Sequence, residues 1–446
     1  MLKLYDPETA RATLLKRKDA GVQAVPPALE ASLQRLFGDP AHPEIQITPQ
    51  DAVQHILEDV KTRGDAALQH WTAVLDGASP VAFRVPASEL EEALAGLPDA
   101  QRAALEEAAR RVRTFYQHQP LISWVTQELG GTLGQLIRPI RRVGLYVPAG
   151  TAPLPSTVIM SAVPAQVAGV QEIALVSPPQ RATGRIASSI LATAALIGVE
   201  EVYSLGGAQA IGALAYGTQA IPAVDKIFGP GNLFVTLAKR QVYGAVGIDS
   251  LAGPTETVII ADDTARPAWV AADLLAQAEH DLLASAILLT PSRALAEAVQ
   301  VEVAQQMESL SRAEIIAGSL QGQGGIVLTS GLEEAVELAN RYAPEHLCLS
   351  VADPWRWTEK ITSAGGIFLG EHSFEVLGDY VAGPSHVMPT SGSARFGSPL
   401  NLWDFVKVIS LIGLDPRTAG QVGPAAATIA QAEGLDGHAQ AALRRL

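Results

Sequence analysis

From residue 142 onward the chain repeats one pattern, in which short apolar, β-branched runs alternate with Ala-rich stretches of helical spacing. The runs are RVGLYVP, EIALVS, EEVYSLG, DKIFGPG, ETVIIADD, SAILLTP, GGIVLTS and HLCLSV, each bounded by Gly, Pro, Asp or Ser. Strands apolar on both faces and separated by helices suit a parallel sheet, since a parallel crossover needs a helix-length connection and covers both faces. There are too many such strands for one small sheet, so two α/β domains are expected. At 446 residues the chain is also too long for one ordinary core.

The ends of the chain read differently. The first 120 residues read as helices. Pro49-Gln50-Asp51 opens DAVQHILEDVKTRGDAALQHWTAVL, where Val53, Ile56, Leu57 and Val60 recur at helical spacing. A second long pattern, SELEEALAGLPDAQRAALEEAARRVRTFYQHQ, is expected to start at a Ser88 cap with Glu91 three positions later. After about residue 365 the sequence turns to Gly/Pro/Ser-rich loops, then a short helix at LNLWDFVKVIS and a helical tail.

Composition narrows the function. Hydrophobic residues at 48% and charged residues at 17% fit a folded enzyme, and a net charge of −14 speaks against a nucleic-acid-binding face. The single cysteine, Cys348, excludes an internal disulfide framework and a Cys-rich zinc site. No uncharged apolar stretch reaches ~18 residues, and the opening MLKLYDPETARATLLKRK has no apolar signal core. The expectation is a cytoplasmic protein with neither membrane nor nucleic acid as partner.

Four clusters carry potential chemistry. Gln277 and His280 end an apolar helix three residues apart, on one face. They make a half-site for a divalent metal, or simply a polar helix end. Glu345 and His346 follow Pro344 at a loop-to-strand junction, where acid and imidazole can divide proton transfer; a surface Glu beside a half-buried His reads equally well. Gly378-Asp379-Tyr380-Val381-Ala382-Gly383-Pro384-Ser385-His386 bends the chain with Asp379 and His386 projecting, toward zinc or substrate or only around a turn. Glu433-Gly434-Leu435-Asp436-Gly437-His438 lies in a tail of the kind that usually frays. Four of the nine histidines fall in these clusters.

No Gly-x-Gly-x-x-Gly follows a strand, so the usual dinucleotide fingerprint is absent. Two strand-to-helix turns, Ser204-Leu205-Gly206-Gly207-Ala208-Gln209 and Phe228-Gly229-Pro230-Gly231-Asn232, place small residues where backbone N–H groups can meet phosphate. Tight turns that need Gly explain the same spacing.

Taken in order, GLYVPAGTAPLPSTVIM, LGGAQAIGALAYGT, GPGNLFVTLAKRQV, AGPTE, LLAQAEH, RYAPEHL, LGDYVAGPSHVMPT and EGLDGH resemble the histidinol dehydrogenase family over essentially the whole chain. The resemblance implies zinc ligands at Gln277, His280, Asp379 and His438. It implies further substrate contacts at Thr255, His346, His386 and Glu433, and NAD contacts at Tyr146, Gln209 and Asn232. Zinc would anchor histidinol rather than carry electrons. His346 would serve as general base in both oxidations and Glu345 would activate the water that hydrates the aldehyde. Thr255 stands where many members carry Ser, Ser385 where Asn or Thr is common, and DLLASA after His280 lacks a Gly-Pro that some members have.

The expected fold class is α/β, with two incomplete Rossmann-like domains, small N- and C-terminal helical appendages and an intertwined homodimer. The expected division is an appendage over 1–26, a discontinuous first domain over 27–145 and 256–400, an inserted NAD-side domain over 146–255, and a tail over 401–446 that reaches the partner's site. Two rival readings stand beside it: a zinc hydrolase that uses Glu345 and His346 on water without NAD, and a non-catalytic NAD- or zinc-binding homologue. The intact acid–base pair and four ligands argue against the second. Cys348 invites a thiohemiacetal mechanism, but a small buried hydrophobe is the simpler reading, and the family pattern requires no Cys there.

Overall fold

The alternation of runs and helices builds two separate parallel sheets. The computed structural model describes all residues except Met1, 18–25, 43, 79 and 150–152. Its strands in chain order are β1 (Leu4–Tyr5), β2 (Trp124–Thr126), β3 (Thr132–Pro139), β4 (Arg142–Tyr146), β5 (Glu172–Ser177), β6 (Glu201–Ser204), β7 (Lys226–Phe228), β8 (Gly247–Ile248), β9 (Glu256–Ala261), β10 (Ser285–Thr290), β11 (Gly325–Leu328), β12 (His346–Ser350), β13 (Gly366–Leu369) and β14 (Val406–Gly413).

One sheet runs β6-β5-β4-β7-β8 and the other β1-β11-β10-β9-β12-β13, with every neighbouring pair parallel. Leaving β1 aside, both are wound alike: the first strand sits in the middle, two are laid on one side and two on the other. The five-stranded sheet falls in the chain between β1 and β9, so it interrupts the six-stranded one.

Side-chain alternation splits each sheet between two cores. In the five-stranded sheet Val143, Leu145, Leu175 and Val202 face one core, while Ala174, Val176, Tyr203 and Ile227 face the other. In the six-stranded sheet Ile259, Leu288 and Ile326 face one side, and Val258, Ile287, Val327 and Leu347 the other. Strands β4, β9, β10 and β12 are buried along their full length, which explains why their sequences are continuous apolar runs.

The helices before residue 120 pack elsewhere than expected. Pro49–Arg63 and Asp65–Trp71 join one core of the five-stranded sheet, and Ala87–Ala95 and Asp99–Gln117 join the other. The expected grouping of 27–145 with 256–400 therefore does not follow the packing, because the apolar faces Val53/Ile56/Val60 and Ala108/Val112/Tyr116 are buried on the 142–248 sheet. The segment expected as a helical appendage over 1–26 also contributes β1, paired in parallel with β11.

The structure differs from the local expectations in four respects. The Ala87–Ala95 helix begins after Pro86 without a side-chain cap, so Ser88 lies inside its first turn. Gly96 and Pro98 then divide the long pattern into two helices. The stretch LNLWDFVKVIS is a 3-10 turn, Leu402–Phe405, followed by β14, whose Val406, Val408, Ile409 and Ile412 suit a strand. The region after 365 also holds β13 and the Glu375–Tyr380 helix.

Strand β14 pairs antiparallel with β3 over eight residues, from Val406↔Pro139 to Gly413↔Thr132, and β2 completes this third sheet. The Pro416–Ala432 and Asp436–Leu443 helices follow it and pack on each other. This arm leaves large apolar side chains in solvent, with Ile412 74% exposed and Ile429 61% exposed. Val408, Ile409, Leu435 and Leu443 of the same arm are exposed as well.

Candidate active site

Strands β9 and β12 are neighbours, and the residues at their amino ends meet. Thr255 precedes β9, Glu345 precedes β12, and His346 is the first residue of β12. Thr255 Oγ donates to Glu345 Oε2 at 2.6 Å, and the Glu256 N–H donates to the same oxygen at 3.1 Å. Burial pushes the Glu345 carboxyl up to about 7, although the neighbouring His346 and these two donors pull the other way. Gln277, near the end of the Pro267–Ala278 helix, donates from Nε2 to Thr255 Oγ at 2.9 Å. Thr255 thus links Gln277 to Glu345, and the hydroxyl is what matters there, so Thr in place of Ser keeps the linkage.

His346 is buried between three carboxylates. Its Nδ1 lies 3.2 Å from the Glu256 carbonyl oxygen. A carbonyl only accepts, so Nδ1 carries a proton, and in the neutral ring Nε2 presents a lone pair. Among the described residues Nε2 has no hydrogen-bond partner, and it lies 3.7 Å from Asp379 Oδ1. Two acceptors facing each other call for a proton-bearing or cationic ligand between them. The buried Gln277 Oε1 is a further acceptor without a partner. Unsatisfied buried polar atoms cost about 1–3 kcal/mol each, so a ligand group that completed these two would be stabilised here.

Asp379 sits on the Glu375–Tyr380 helix. His386 Nδ1–H donates to the Asp379 carbonyl at 2.7 Å, and His386 Nε2 lies 3.3 Å from Thr157 Oγ. Burial lowers the His386 pKa and favours the neutral ring. Thr157 belongs to the first turn of the Pro155–Val167 helix, which follows β4. This contact therefore joins the carboxyl end of the five-stranded sheet to the amino end of the six-stranded one. Tyr116 supports the same loop, accepting from the Ser385 N–H at 3.0 Å and donating to the Leu400 carbonyl at 2.6 Å. Ser385 Oγ accepts from the Val387 N–H at 3.2 Å, which gives this residue a turn-forming role.

His280 follows the same helix as Gln277 but is exposed, close enough to His386 to disfavour its charged form. Among the described residues no group of three or more His, Cys, Asp or Glu side chains is arranged to hold a metal ion. Glu433 and His438 are exposed on the terminal helix pair, with no hydrogen bond or ion pair to this cluster.

Tyr146, Gln209 and Asn232 sit apart from these residues, at the carboxyl ends of β4, β6 and β7. The Gly207 N–H donates to Tyr146 Oη at 3.2 Å. Gln209 Nε2 donates to Asp76 at 3.1 Å, while its buried Oε1 has no partner. Burial raises the Asp76 carboxyl to about 6. Asn232 caps the Leu233–Val242 helix through Oδ1, accepting from the Phe234 and Val235 N–H groups. Gly229 has φ +110°, and a Cβ there would lie 2.1 Å from the Tyr146 carbonyl, so the two turns touch only because residue 229 is Gly. The buried Lys239 and Asp249 brace this turn, Lys239 Nζ donating to the Gly229 carbonyl at 2.9 Å and Asp249 accepting from the Gly229 N–H at 2.8 Å.

Sequence reasoning missed Glu375. It is fully buried, hydrogen-bonded to Thr257, with Oε1 3.8 Å from His346 Nδ1. Burial and the nearby Asp379 charge push its carboxyl well above the ordinary carboxylate range. The only available signal was its four-residue spacing from Asp379. A cavity of about 480 Å³ flanks the cluster, lined by Arg111, Phe368, His372, Leu377 and Gly378. It shares the Phe368 ring, 5.8 Å from that of His346, but none of the polar side chains named above.

Cys348 lies two residues beyond His346 on β12 and is fully buried, and burial raises its thiol well above the usual range. A neutral buried thiol is a poor nucleophile. Cys348→Ser is expected to keep most of the turnover; a folded but inactive variant would restore covalent catalysis as an explanation.

The fold and cluster define a class: an α/β protein of two parallel sheets and a small antiparallel one, with a buried Glu–His pair and unpartnered polar atoms where the parallel sheets meet. Residues 42–446 match the family model for histidinol dehydrogenase. The histidinol dehydrogenase of Deinococcus radiodurans is 51% identical over 424 residues, 95% of each chain. That of Thermus thermophilus is 52% identical over 393 residues, 88% of this chain and 93% of the other. The crystal structure of histidinol dehydrogenase from Elizabethkingia anophelis superimposes with a TM-score of 0.90 at 36% identity, covering 100% of this chain and 98% of that one. The chain belongs to the histidinol dehydrogenase family, a family of oxidoreductases. Among the described residues no helix is long and apolar enough to cross a membrane.

Proposed function

We propose that the protein carries out a zinc-dependent, NAD-linked four-electron oxidation of L-histidinol through L-histidinaldehyde to L-histidine in the cytoplasm. The observation that carries this reading is the buried Glu345–His346 pair, with the His346 lone pair facing Asp379 and no donor between them.

The donor set suits zinc. Gln277 offers an amide oxygen without a partner, His280 an imidazole and Asp379 a carboxylate, and His438 of the partner subunit would complete the four. Bound there, zinc would hold the substrate by its amine and imidazole nitrogens, and NAD would accept the hydride in each oxidation. The arm formed by β2, β3, β14 and the terminal helices supports a homodimer. Its apolar side chains lack cover, and Glu433 and His438 are displayed on it away from their own chain's cluster. Both parallel sheets have the strand order of an incomplete Rossmann-like fold, which supports that assignment for the two domains. NAD would lie at the switch point between β4 and β7, near Tyr146, Gln209 and Asn232. The Thr157–His386 contact brings that end of the sheet against the catalytic cluster.

His346 Nε2 takes the alcohol proton as the first hydride leaves carbon. Glu345, as carboxylate, takes a proton from water that adds to the aldehyde. After releasing its first proton to solvent, His346 Nε2 takes the remaining hydroxyl proton of the resulting hydrate anion as the second hydride leaves, giving the carboxylate. Thr255, His386 and the partner's Glu433 would position the substrate around this pair. Burial of the pair keeps bulk water from the aldehyde between steps.

Glu345 acts as base only when ionised, so aldehyde oxidation should rise with pH through about 7, where its carboxyl titrates. The stability effect has the opposite sense. Folding favours its protonated form, so its stabilising contribution is present below the ordinary carboxylate range and is lost as pH rises to about 7. Glu345→Gln should damage oxidation of supplied histidinaldehyde more than that of histidinol and should abolish the rising limb. Equal damage to both half-reactions, with the limb retained, would remove the water-activating role.

A further inference from the structure

Arg17 lies far from the catalytic pair in sequence, yet its guanidinium is used on all sides by residues that hold that pair. Nε donates to the Tyr342 carbonyl at 2.9 Å, and Nη2 donates to the Ala343 carbonyl at 3.0 Å. Both terminal nitrogens bind the Glu256 carboxylate, with Nη2 to Oε2 at 2.9 Å. The guanidinium plane lies 3.7 Å from the centre of the Tyr342 ring.

Each partner has a reason to need it. Tyr342 ends the Leu332–Tyr342 helix, whose last carbonyls carry partial negative charge without intrahelical donors. Ala343 is buried at φ 52°, a left-handed conformation unusual for a residue with a Cβ. This bend turns the chain into Pro344, Glu345 and His346. Glu256 is buried, and its main chain holds both catalytic side chains: its N–H binds Glu345 Oε2 and its carbonyl binds His346 Nδ1. The Glu256 carboxylate also accepts from the Ser391 N–H at 3.1 Å. Without a cation, two carbonyls and a buried carboxylate would face one another.

We propose that Arg17 is a positioning residue for the Glu345–His346 pair, making the N-terminal segment a working part of the catalytic unit. Its hydrogen bonds go to Tyr342, Ala343 and Glu256, not to the side chains of the pair itself. It locks the bend before the pair and the strand end to which the pair is hydrogen-bonded. Only Arg offers a planar fork that can stack on a ring while donating to three groups, so Lys is not an equivalent.

The inference rests on Glu345 and His346 being the acid–base pair, and His346→Asn, assayed alongside, separates the two ideas. In the zinc-loaded full-length enzyme, Arg17→Lys should lower kcat by about 10²-fold, as expected for a misplaced catalytic group. KM for histidinol and for NAD, and the zinc content, should stay near normal. Arg17→Ala should be at least as slow and should regain kcat when guanidinium ion is added at millimolar concentration, but not with sodium chloride at the same ionic strength. Wild-type kcat in Arg17→Lys beside an inactive His346→Asn would overturn the inference. So would a folded Arg17→Ala whose lost kcat guanidinium cannot restore. If the Ala variant does not fold, Arg17→Lys decides alone. If His346→Asn turns over normally, the pair itself is misassigned.

Discussion

His346→Asn is expected to lower histidinol turnover by about 10²- to 10⁴-fold, the range typical of a lost general base. The geometry makes this a clean substitution. The Asn amide can still donate to the Glu256 carbonyl, replacing the Nδ1–H bond, so the local fold is kept. What disappears is the lone pair at Nε2, the atom that faces Asp379 without a partner. The loss should fall on kcat rather than KM, and metal analysis should find zinc near the normal content, since His346 is not among the four proposed ligands. Normal turnover in a folded variant would remove His346 from the proton transfers.

A second large effect is expected where a single chain gives least reason for it. His438 is exposed on the terminal Asp436–Leu443 helix and contacts none of the catalytic residues of its own chain. Loss of an exposed side chain normally changes little. If His438 completes the zinc set in the partner subunit, His438→Asn should lose most bound zinc and most turnover together while the fold and the dimer persist. Zinc content by metal analysis, set against melting temperature, tests this. Full zinc with normal turnover would remove His438 from the ligand set.

Much of the site was legible because its residues come in short local clusters. Gln277 and His280 share a helix end, Glu345 and His346 a loop-to-strand junction, and Asp379 and His386 one bend. The parallel sheets were legible because strands buried on both faces must be continuous apolar runs. The shared winding of the two sheets left no trace as a sequence repeat, since any apolar run of the right length fills a buried strand. Strand β14 was read as helix because Leu402, Phe405, Val406 and Ile409 also fit a helical period. Its pairing partner β3 lies far earlier in the chain, and only that pairing decides the matter. The amphipathic helices over 49–117 showed an apolar face but not which sheet would cover it. Glu375 and Arg17 stayed hidden for a related reason: Glu375 had only its four-residue spacing from Asp379 and Arg17 no local neighbour at all, and each matters through residues that folding brings to it.

The most direct test of a site assembled from two chains is complementation between the two inactive variants. His346→Asn and His438→Asn are refolded together with zinc, under conditions where subunit exchange is demonstrated by differently tagged chains. A mixed dimer would contain one doubly damaged site and one intact site. With random pairing of equal amounts, roughly half the dimers are mixed, so about a quarter of all sites should recover turnover if the sites act independently. Total bound zinc should stay unchanged, because each mixed dimer holds zinc at its intact site and lacks it at the doubly damaged one, so turnover is the readout. Demonstrated exchange with no return of turnover would mean that His438 serves its own subunit, and the shared site would be contradicted.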